Sequence, residues 1–333
     1  MKRTSLPLLA TLKRRAFITL VAGAAAAWPV AARTQQGGVP LVGVLRPNRK
    51  DVLETFAEPF RRYMKAIGWE EGRNVRFLFV WTEGLSARAP ALAGELVAQN
   101  VDLIVTFGDP AIRATQRATQ AIPIVAMTDD MVGSALVASL ARPGGNTTGV
   151  SILASELDVK RLEILHEFVP QARRIAVLID TTTISTRAQL AIAARDLGVE
   201  LVPFEAQSPD EISRMLDDLA AAKVEAVNVL ASPLLNLARV QIIERMRTAR
   251  LPAIYQWPES AEDGGLLAYG PRNLLCYRHV VSLVDKVLRG AKPADLPIEQ
   301  PSKFELAVNL KTAGAIGQTI APTLLLRADE VIE

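Results

Sequence analysis

Cysteine and histidine are almost absent from this chain of 333 residues. Cys276 is the only cysteine, which excludes an internal disulfide framework. His166 and His279 are the only histidines, and both fall in predicted helices, which argues against a zinc site built from several histidines. We expect both to be helix-surface or packing residues rather than catalytic bases.

The motifs of several enzyme classes are also missing. No Gly-x-Ser-x-Gly nucleophile motif occurs, and no Gly-x-Gly-x-x-Gly follows the first predicted strand. The glycine-rich segment 142–146 lacks the Gly-Lys-Ser/Thr ending of a phosphate loop, so we interpret it as a turn between lobes. The pair Asp129-Asp130 could bind a hard cation, but a solvated loop or an ammonium contact is the better interpretation. We therefore predict no enzyme activity, no catalytic residue, no metal site and no cofactor.

Acidic residues are absent from residues 1–32, which hold five of the 38 lysines and arginines. The rest of the chain carries 33 basic and 35 acidic side chains, a net charge of −2 rather than the +3 of the whole sequence. Binding to nucleic acid requires a concentrated basic face. We therefore expect no nucleic-acid partner.

The uncharged run at residues 16–32 is shorter than the roughly 20 residues that cross a bilayer. It follows the pair Arg14-Arg15 and ends in Ala31-Ala32. A twin arginine, an apolar core and small residues at a cleavage site are typical of an export signal. We predict recognition of residues 1–32 by the twin-arginine export machinery, cleavage near Ala32 and a periplasmic location, with the general secretory route as the alternative.

Beyond the signal, apolar strand-like runs alternate with amphipathic helical segments. Predicted strands lie at 39–45, 75–81, 103–107, 124–127, 148–151, 175–179, 199–204, 226–230, 253–257, 266–269 and 304–310, and predicted helices at 55–67, 85–99, 111–119, 156–168, 186–197, 209–222, 235–249 and 273–288. This alternation predicts an α/β fold of two similar halves, each a parallel sheet covered by helices. Ser208 is a plausible N-cap for the helix that begins at Pro209.

Candidate ligand contacts follow the predicted strands, because ligands of parallel α/β sheets lie beyond the carboxyl ends of the strands. Hydroxyls at helix starts suit a carboxylate, Asp129 suits an ammonium group, and aromatic rings suit an apolar or ring-bearing ligand. An amino-acid-like ligand fits this set, although several of the aromatics could equally be core residues. The predicted ligand contacts are Asn48, Trp81, Phe107, Gly108, Asp109, Asp129, Asp180, Thr181, Ser232, Tyr255 and Tyr269.

Several stretches together resemble one known family. They are 41–45, 69–75 (Trp-Glu-Glu-Gly-Arg-Asn-Val), 89–97, 136–150 (Leu-Val-Ala-Ser-Leu-Ala-Arg-Pro-Gly-Gly-Asn-Thr-Thr-Gly-Val), 160–163, 251–255 (Leu-Pro-Ala-Ile-Tyr), 269–271, 291–301 and 328–333. With them the chain resembles the ABC-transporter solute-binding proteins that include the tryptophan/tyrosine-type binding proteins. The resemblance covers essentially all of the sequence after the signal.

The resemblance implies a type I periplasmic-binding fold, in which two Rossmann-like lobes are joined by three crossing strands and close on a ligand. Lobe one would comprise 39–150 and 268–298, and lobe two 151–267 and 299–333. The implied function is the capture of a small carboxylate, most simply an aromatic or other amino acid, for an ABC permease in the inner membrane.

The chain departs from the family pattern at 180–183, at Asp129-Asp130 and at Trp257, all at the mouth of the cleft. These departures affect the identity of the ligand more than the fold or the class. Two alternative functions also stay open. One is an exported enzyme that uses Asp129, Asp130 or Asp180 as acid/base groups. The other is a sensory binding protein that presents its ligand to a receptor.

Overall fold

Five parallel strands form the first of two sheets. The computed structural model describes residues 38–47, 53–182 and 187–333, so the predicted signal at 1–32 and Asn48 lie outside the described residues. The strands are β1 (Leu41–Arg46), β2 (Arg76–Trp81), β3 (Leu103–Phe107), β4 (Ile124–Thr128) and β5 (Thr147–Ser151), in the order β2-β1-β3-β4-β5. β3, β4 and β5 are buried along their whole length, as expected of parallel strands covered on both faces.

Helices α1 (Leu53–Ala66), α2 (Ala89–Ala98) and α3 (Asp109–Ala118) alternate with these strands. Pro90 is the second residue of α2, and Pro110 is the second residue of α3. The N–H groups of the first helical turn make no hydrogen bond within the helix, so proline, which has no N–H, is tolerated there. The alternation of helix and strand that the sequence predicts is therefore confirmed in this half.

Seven strands form the second sheet. They are β6 (Arg174–Asp180), β7 (Glu200–Ala206), β8 (Ala226–Val229), β9 (Ala253–Tyr255), β10 (Leu267–Gly270), β11 (Glu305–Asn309) and β12 (Glu330–Ile332), in the order β12-β11-β10-β9-β8-β6-β7. All neighbours are parallel except β10 and β11. The accompanying helices are α4 (Ala154–Phe168), α5 (Arg187–Leu197), α6 (Pro209–Ala221), α7 (Pro233–Leu237), α8 (Arg239–Ala249), α9 (Glu259–Glu262), α11 (Leu310–Ala315) and α12 (Pro322–Leu325).

Helix α10 (Asn273–Leu288) follows a strand of the second sheet but packs on the first. Its buried residues Cys276, Val280 and Val284 share a core with Val105 of β3 and Val125 of β4. We call β1–β5 with α1–α3 and α10 the first lobe, and β6–β12 with the remaining helices the second lobe. Both belong to one compact unit, Val39–Glu333.

The chain crosses between the lobes three times. The first crossing follows β5 and the second lies between β10 and α10. The third follows Glu299, whose N–H donates to the Gly149 carbonyl at 2.9 Å and whose carbonyl accepts the Ser151 N–H at 2.9 Å. Two α/β lobes with three crossings make the type I periplasmic-binding fold that the sequence predicts. The predicted lobe boundary at 268 falls inside β10, which pairs with β9 in the second sheet, so the exact division into lobes stays a prediction.

Several local predictions need correction. The helix predicted over 235–249 is two helices, because the backbone turns at Ala238 (φ −87°, ψ 6°) between α7 and α8. Ser208 does occupy the N-cap position of α6, but its side chain makes no capping hydrogen bond. β12 has no counterpart among the predicted strands. Its three residues are half-buried or exposed, so no apolar run marks it.

Arg272 lies at the second crossing and contacts three carboxylates of the second lobe. Its Nε donates to Glu305 at 2.6 Å, and its two Nη atoms donate to Glu262 and Glu330. Burial lowers the pKa of the guanidinium, but the hydrogen bonds to the three carboxylates outweigh it and raise that pKa overall. Lys303 and Arg272 together lower the pKa of Glu305. Ion pairs therefore hold the second crossing against β11 and β12.

Cys276 is buried in α10, and burial raises the pKa of its thiol to about 12, so the reactive thiolate is scarce at neutral pH.

In the part of the chain that the structure describes, no helix is both long and apolar enough to cross a membrane.

Candidate functional site

A cavity of about 380 Å³ lies between the two lobes. From the first lobe it is lined by Arg46, Phe107, Gly108, Asp109, Met127, Thr128, Asp129, Asp130, Gly133, Ser134, Asn273 and Tyr277. From the crossing and the second lobe it is lined by Ile152, Leu153, Glu156, Gln189, Ala231, Ser232, Pro233, Asn236, Gln256 and Trp257. Its volume is within the range of about 300 to 1,000 Å³ that is common for small-molecule sites.

Neighbouring strands deliver the first-lobe side chains to this cavity. Arg46, Phe107 and Thr128 are the last residues of β1, β3 and β4. Because these strands are parallel neighbours in the sheet, their carboxyl ends lie at one edge. The cavity therefore lies where the open α/β architecture places ligands.

Arg46 is the only cationic side chain among the cavity-lining residues that the structure describes. It is 3 % exposed, and its guanidinium carbon lies 4.3 Å from the centroid of the Phe107 ring and 5.2 Å from that of Tyr277. One Nη atom donates a hydrogen bond to the Tyr277 hydroxyl. The two rings fix a buried positive charge at the wall of the cavity.

Asp109 and Asp130 are acidic lining residues of the first lobe that make structural hydrogen bonds. The Thr128 hydroxyl donates to Asp109, and the Asp130 carboxylate accepts the N–H groups of Val132 at 3.0 Å and Gly133 at 2.9 Å. The main-chain carbonyl of Asp129 accepts the Ser151 hydroxyl and the Leu153 N–H, both at 2.9 Å. The loop that carries Asp129 is thus bonded to the first crossing.

Three long helices begin at the cavity. Gly108 precedes α3, Leu153 precedes α4, and Asn273 is the first residue of α10; all three residues line the cavity. Helix N-termini present free N–H groups and a partial positive charge, which favour an anionic group. With Arg46, they make this cavity suitable for a carboxylate.

The structure brings five of the predicted ligand contacts together at the cavity: Phe107, Gly108, Asp109, Asp129 and Ser232. The Ser232 hydroxyl accepts the Leu235 N–H at 2.9 Å and so caps α7. This capping bond holds the start of α7 at the cavity wall.

The structure places the other predicted contacts elsewhere. Trp81 ends β2, next to the cavity edge of the sheet, but it is 7 % exposed and stacks on Phe79 with ring centroids 5.9 Å apart. Tyr255 is buried in the core of the second lobe, and burial raises the pKa of its hydroxyl. Tyr269 packs against the other core of that lobe. None of the three lines the larger cavity, because side chains of a strand alternate between faces and these rings pack against other side chains. Their role as ligand contacts stays a prediction.

Asp180 lines a separate cavity of about 40 Å³, and its carboxylate accepts the Thr182 N–H at 2.8 Å and hydroxyl at 2.6 Å. Thr181 is exposed, and its N–H donates to the Ala206 carbonyl at 3.0 Å. Neither residue lines the larger cavity. Asn48, the remaining predicted contact, lies outside the described residues.

Several cavity residues were not among the predicted contacts, above all Arg46, Trp257, Tyr277 and Asn273. Arg46 follows the same strand-end rule as Phe107 and could have been chosen by it. Tyr277 and Asn273 lie on α10, one helical turn apart, and no strand-end signal marks them. Among the described residues, no group of three or more histidine, cysteine, aspartate or glutamate side chains could hold a metal ion.

Solved structures share this architecture. A conserved domain protein from Vibrio cholerae superposes with a TM-score of 0.80 at 26 % identity, covering 88 % of this chain and all of that one. The structure of an ABC domain from Streptococcus pneumoniae in complex with L-Trp superposes with a TM-score of 0.78 at 24 % identity, covering 89 % of this chain and all of that one. The two lobes, the three crossings and the cavity between the lobes define the type I periplasmic-binding fold.

The family model for ABC transporter substrate binding proteins matches residues 41–332, and the chain belongs to this family. A curated relative, the "Tyrosine-binding protein" of Clostridioides difficile strain R20291, is 26 % identical over 284 residues, which cover 83 % of this chain and 80 % of that protein. The chain is therefore the substrate-binding component of an ABC transporter, which has a small-molecule ligand and a permease as partners. The family consists of binding proteins rather than enzymes.

Proposed function

We propose that this chain binds an amino acid with an aromatic side chain in the interlobe cavity and delivers it to the permease of its transporter. The observation that carries the proposal is the buried Arg46 guanidinium, held against Phe107 and Tyr277 at the cavity wall. An arginine fork matches a carboxylate in two parallel hydrogen bonds. Arg46 therefore binds the α-carboxylate, assisted by the N-termini of α3, α4 and α10.

The rest of the ligand is matched by other lining residues. Asp129 and Glu156 line the cavity and provide carboxylates for an ammonium group. Phe107 and Trp257 lie in the same cavity, one on each lobe, and supply apolar faces for an aromatic ring. Gly108 and Ser232 complete the proposed contacts.

The names of the relatives agree with this ligand class. The curated relative is named for tyrosine, and the Streptococcus pneumoniae structure contains L-Trp. Both relationships are distant, so they support an aromatic amino acid without choosing between the two.

We further propose that residues 1–32 direct export by the twin-arginine machinery, that cleavage occurs near Ala32, and that the mature protein acts in the periplasm. Capture and release of the ligand involve no covalent step. The cleft carboxylates thus bind and do not catalyse.

The test is calorimetry on the wild-type protein with L-tyrosine and L-tryptophan, each beside its decarboxylated amine, tyramine or tryptamine. Loss of a charge-assisted hydrogen bond costs about 1.5 to 3 kcal/mol, so we expect each amine to bind about 10- to 150-fold more weakly than its amino acid. Arg46→Met should weaken amino-acid binding by a similar factor and remove the preference over the amine.

Two controls sharpen the result. 3-(4-Hydroxyphenyl)propanoate, which lacks the ammonium group, should remain sensitive to Arg46→Met. Circular dichroism must show that the variant is folded. If neither amino acid binds the wild type, the proposed ligand class is wrong. If Arg46→Met leaves the preference for the carboxylate intact, the assignment of Arg46 is wrong.

A further inference from the structure

Two glycines of the first lobe lie close to the second lobe beside the cavity. Gly84 lies in the loop after β2, and it faces Pro209, the first residue of α6, and Leu237, the last residue of α7. Gly108 faces Pro233, the first residue of α7. The small cavity that contains Asp180 lies between these two contacts. On this side of the cleft, the two glycines of the first lobe therefore lie opposite the two prolines of the second lobe.

Neither contact leaves room for a side chain. A Cβ at Gly84 would lie 2.5 Å from Pro209 Cγ and 3.2 Å from Leu237 Cδ2. Atoms this close overlap, and the ring of a proline at a helix start can change its pucker but cannot rotate away. Relief of the overlap therefore requires the Gly84 loop and the second lobe to move apart.

We propose that Gly84 is a positioning residue for ligand capture, because its missing side chain allows the lobes to close over the cavity. Gly84 does not line that cavity, so it touches no ligand there. Its effect is on the distance between the lobes, and with that on how completely Phe107 and Trp257 enclose a ligand from both sides. This inference rests on the proposed function, since it takes an amino acid as the ligand.

Gly84→Ala tests the contact, and Gly72→Ala is the matched control. Both glycines have a positive φ, +79° at Gly84 and +81° at Gly72, so alanine is strained at both. A Cβ at Gly72 meets no atom within 4 Å. Backbone strain therefore affects both variants, whereas the steric clash between lobes affects only Gly84→Ala.

We expect Gly84→Ala to weaken L-tyrosine or L-tryptophan binding by about tenfold or more, and Gly72→Ala to change it by less than about twofold. Adding Pro209→Ala removes Cγ and Cδ of the opposing ring, so Gly84→Ala/Pro209→Ala should recover most of the lost affinity. In small-angle scattering with saturating amino acid, wild type and Gly72→Ala should be more compact than Gly84→Ala.

Equal affinities for Gly84→Ala and Gly72→Ala would overturn the proposal, as would the absence of recovery in the double variant. A wild type that binds neither amino acid refutes the proposed ligand, which is a separate failure. In that case scattering by the ligand-free proteins decides the matter. A larger radius of gyration for Gly84→Ala than for wild type and Gly72→Ala supports the contact, and three equal profiles reject it.

Discussion

The ion pair between Arg161 and Asp158 of α4 makes the strongest stability prediction for this fold. Both side chains are buried, with 0 % and 4 % exposure. Arg161 Nη1 also donates to the Tyr269 carbonyl at 3.0 Å, and the Asp158 carboxylate accepts the Ala231 N–H at 3.4 Å. Arg161→Met leaves the Asp158 charge and the Tyr269 carbonyl inside the second lobe without this donor.

Removal of one partner from a buried ion pair typically costs about 3 to 5 kcal/mol, because the remaining charge stays desolvated. We expect Arg161→Met to lower the free energy of unfolding by that amount in urea titrations followed by circular dichroism. The matched control is Lys160→Met in the same helix. Lys160 and Glu163 have the same spacing and a 2.8 Å contact, but their side chains are 46 % and 45 % exposed, so the cost should be at most about 0.5 kcal/mol.

A double-mutant cycle with Asp158→Asn isolates the pair. Since each single variant removes one half of the buried ion pair, the double variant should cost less than the sum of the two, by about 1 to 3 kcal/mol. Arg161→Lys, which keeps the charge but has fewer donors, should be intermediate if Arg161→Met fails to fold. The reasoning is wrong if Arg161→Met costs no more than Lys160→Met, or if the two single effects simply add.

Two further predictions concern the first sheet and the second crossing. In Gly149→Ala the new Cβ would lie 2.7 Å from the carbonyl carbon of Ala126 on the neighbouring strand, so urea titration should show a loss of about 3 kcal/mol or more. Gly94→Ala, in α2 with no atom within 4 Å, should instead stabilise by about 0.5 to 1 kcal/mol. Because the pKa of Glu305 is lowered from 4.5, its stabilising contribution is complete above pH 4.5 and is lost as pH falls through the lower native value. Glu305→Gln should therefore destabilise at pH 7, and its difference from wild type should shrink as the titrations move below pH 4.5.

The fold could be predicted from the sequence because most of its strands are buried on both faces. Such strands are short apolar runs bounded by turns, and the predicted 103–107 coincides with β3. This pattern of apolar runs does not mark strands that are not fully buried. β12 is a three-residue edge strand of half-buried or exposed residues, and the break between α7 and α8 depends on the backbone of Ala238 alone.

The site was only partly predictable, for two physical reasons. The strand-end rule locates an edge of the sheet, but it does not say on which face a terminal side chain lies, and Trp81 and Tyr255 point into packed layers. The strand-end rule also does not identify residues on a helix that reaches the site after the chain crosses between the lobes. Tyr277 lies on α10, which belongs to the first lobe only because the chain returns from β10.

Helix α7 connects the stability of the second lobe to ligand capture. The residue two positions before it, Ala231, donates its N–H to Asp158 of the buried ion pair, and Ser232 caps the helix at the cavity wall. Pro233 and Leu237, its first and last residues, face Gly108 and Gly84 of the first lobe. Without Arg161, the Asp158 carboxylate that accepts the Ala231 N–H loses its ion-pair partner, so we expect α7 to be held less firmly at the cavity and against the first lobe. Arg161→Met should therefore weaken amino-acid binding although Arg161 does not line the cavity, while Lys160→Met should leave it unchanged in the same calorimetric experiment.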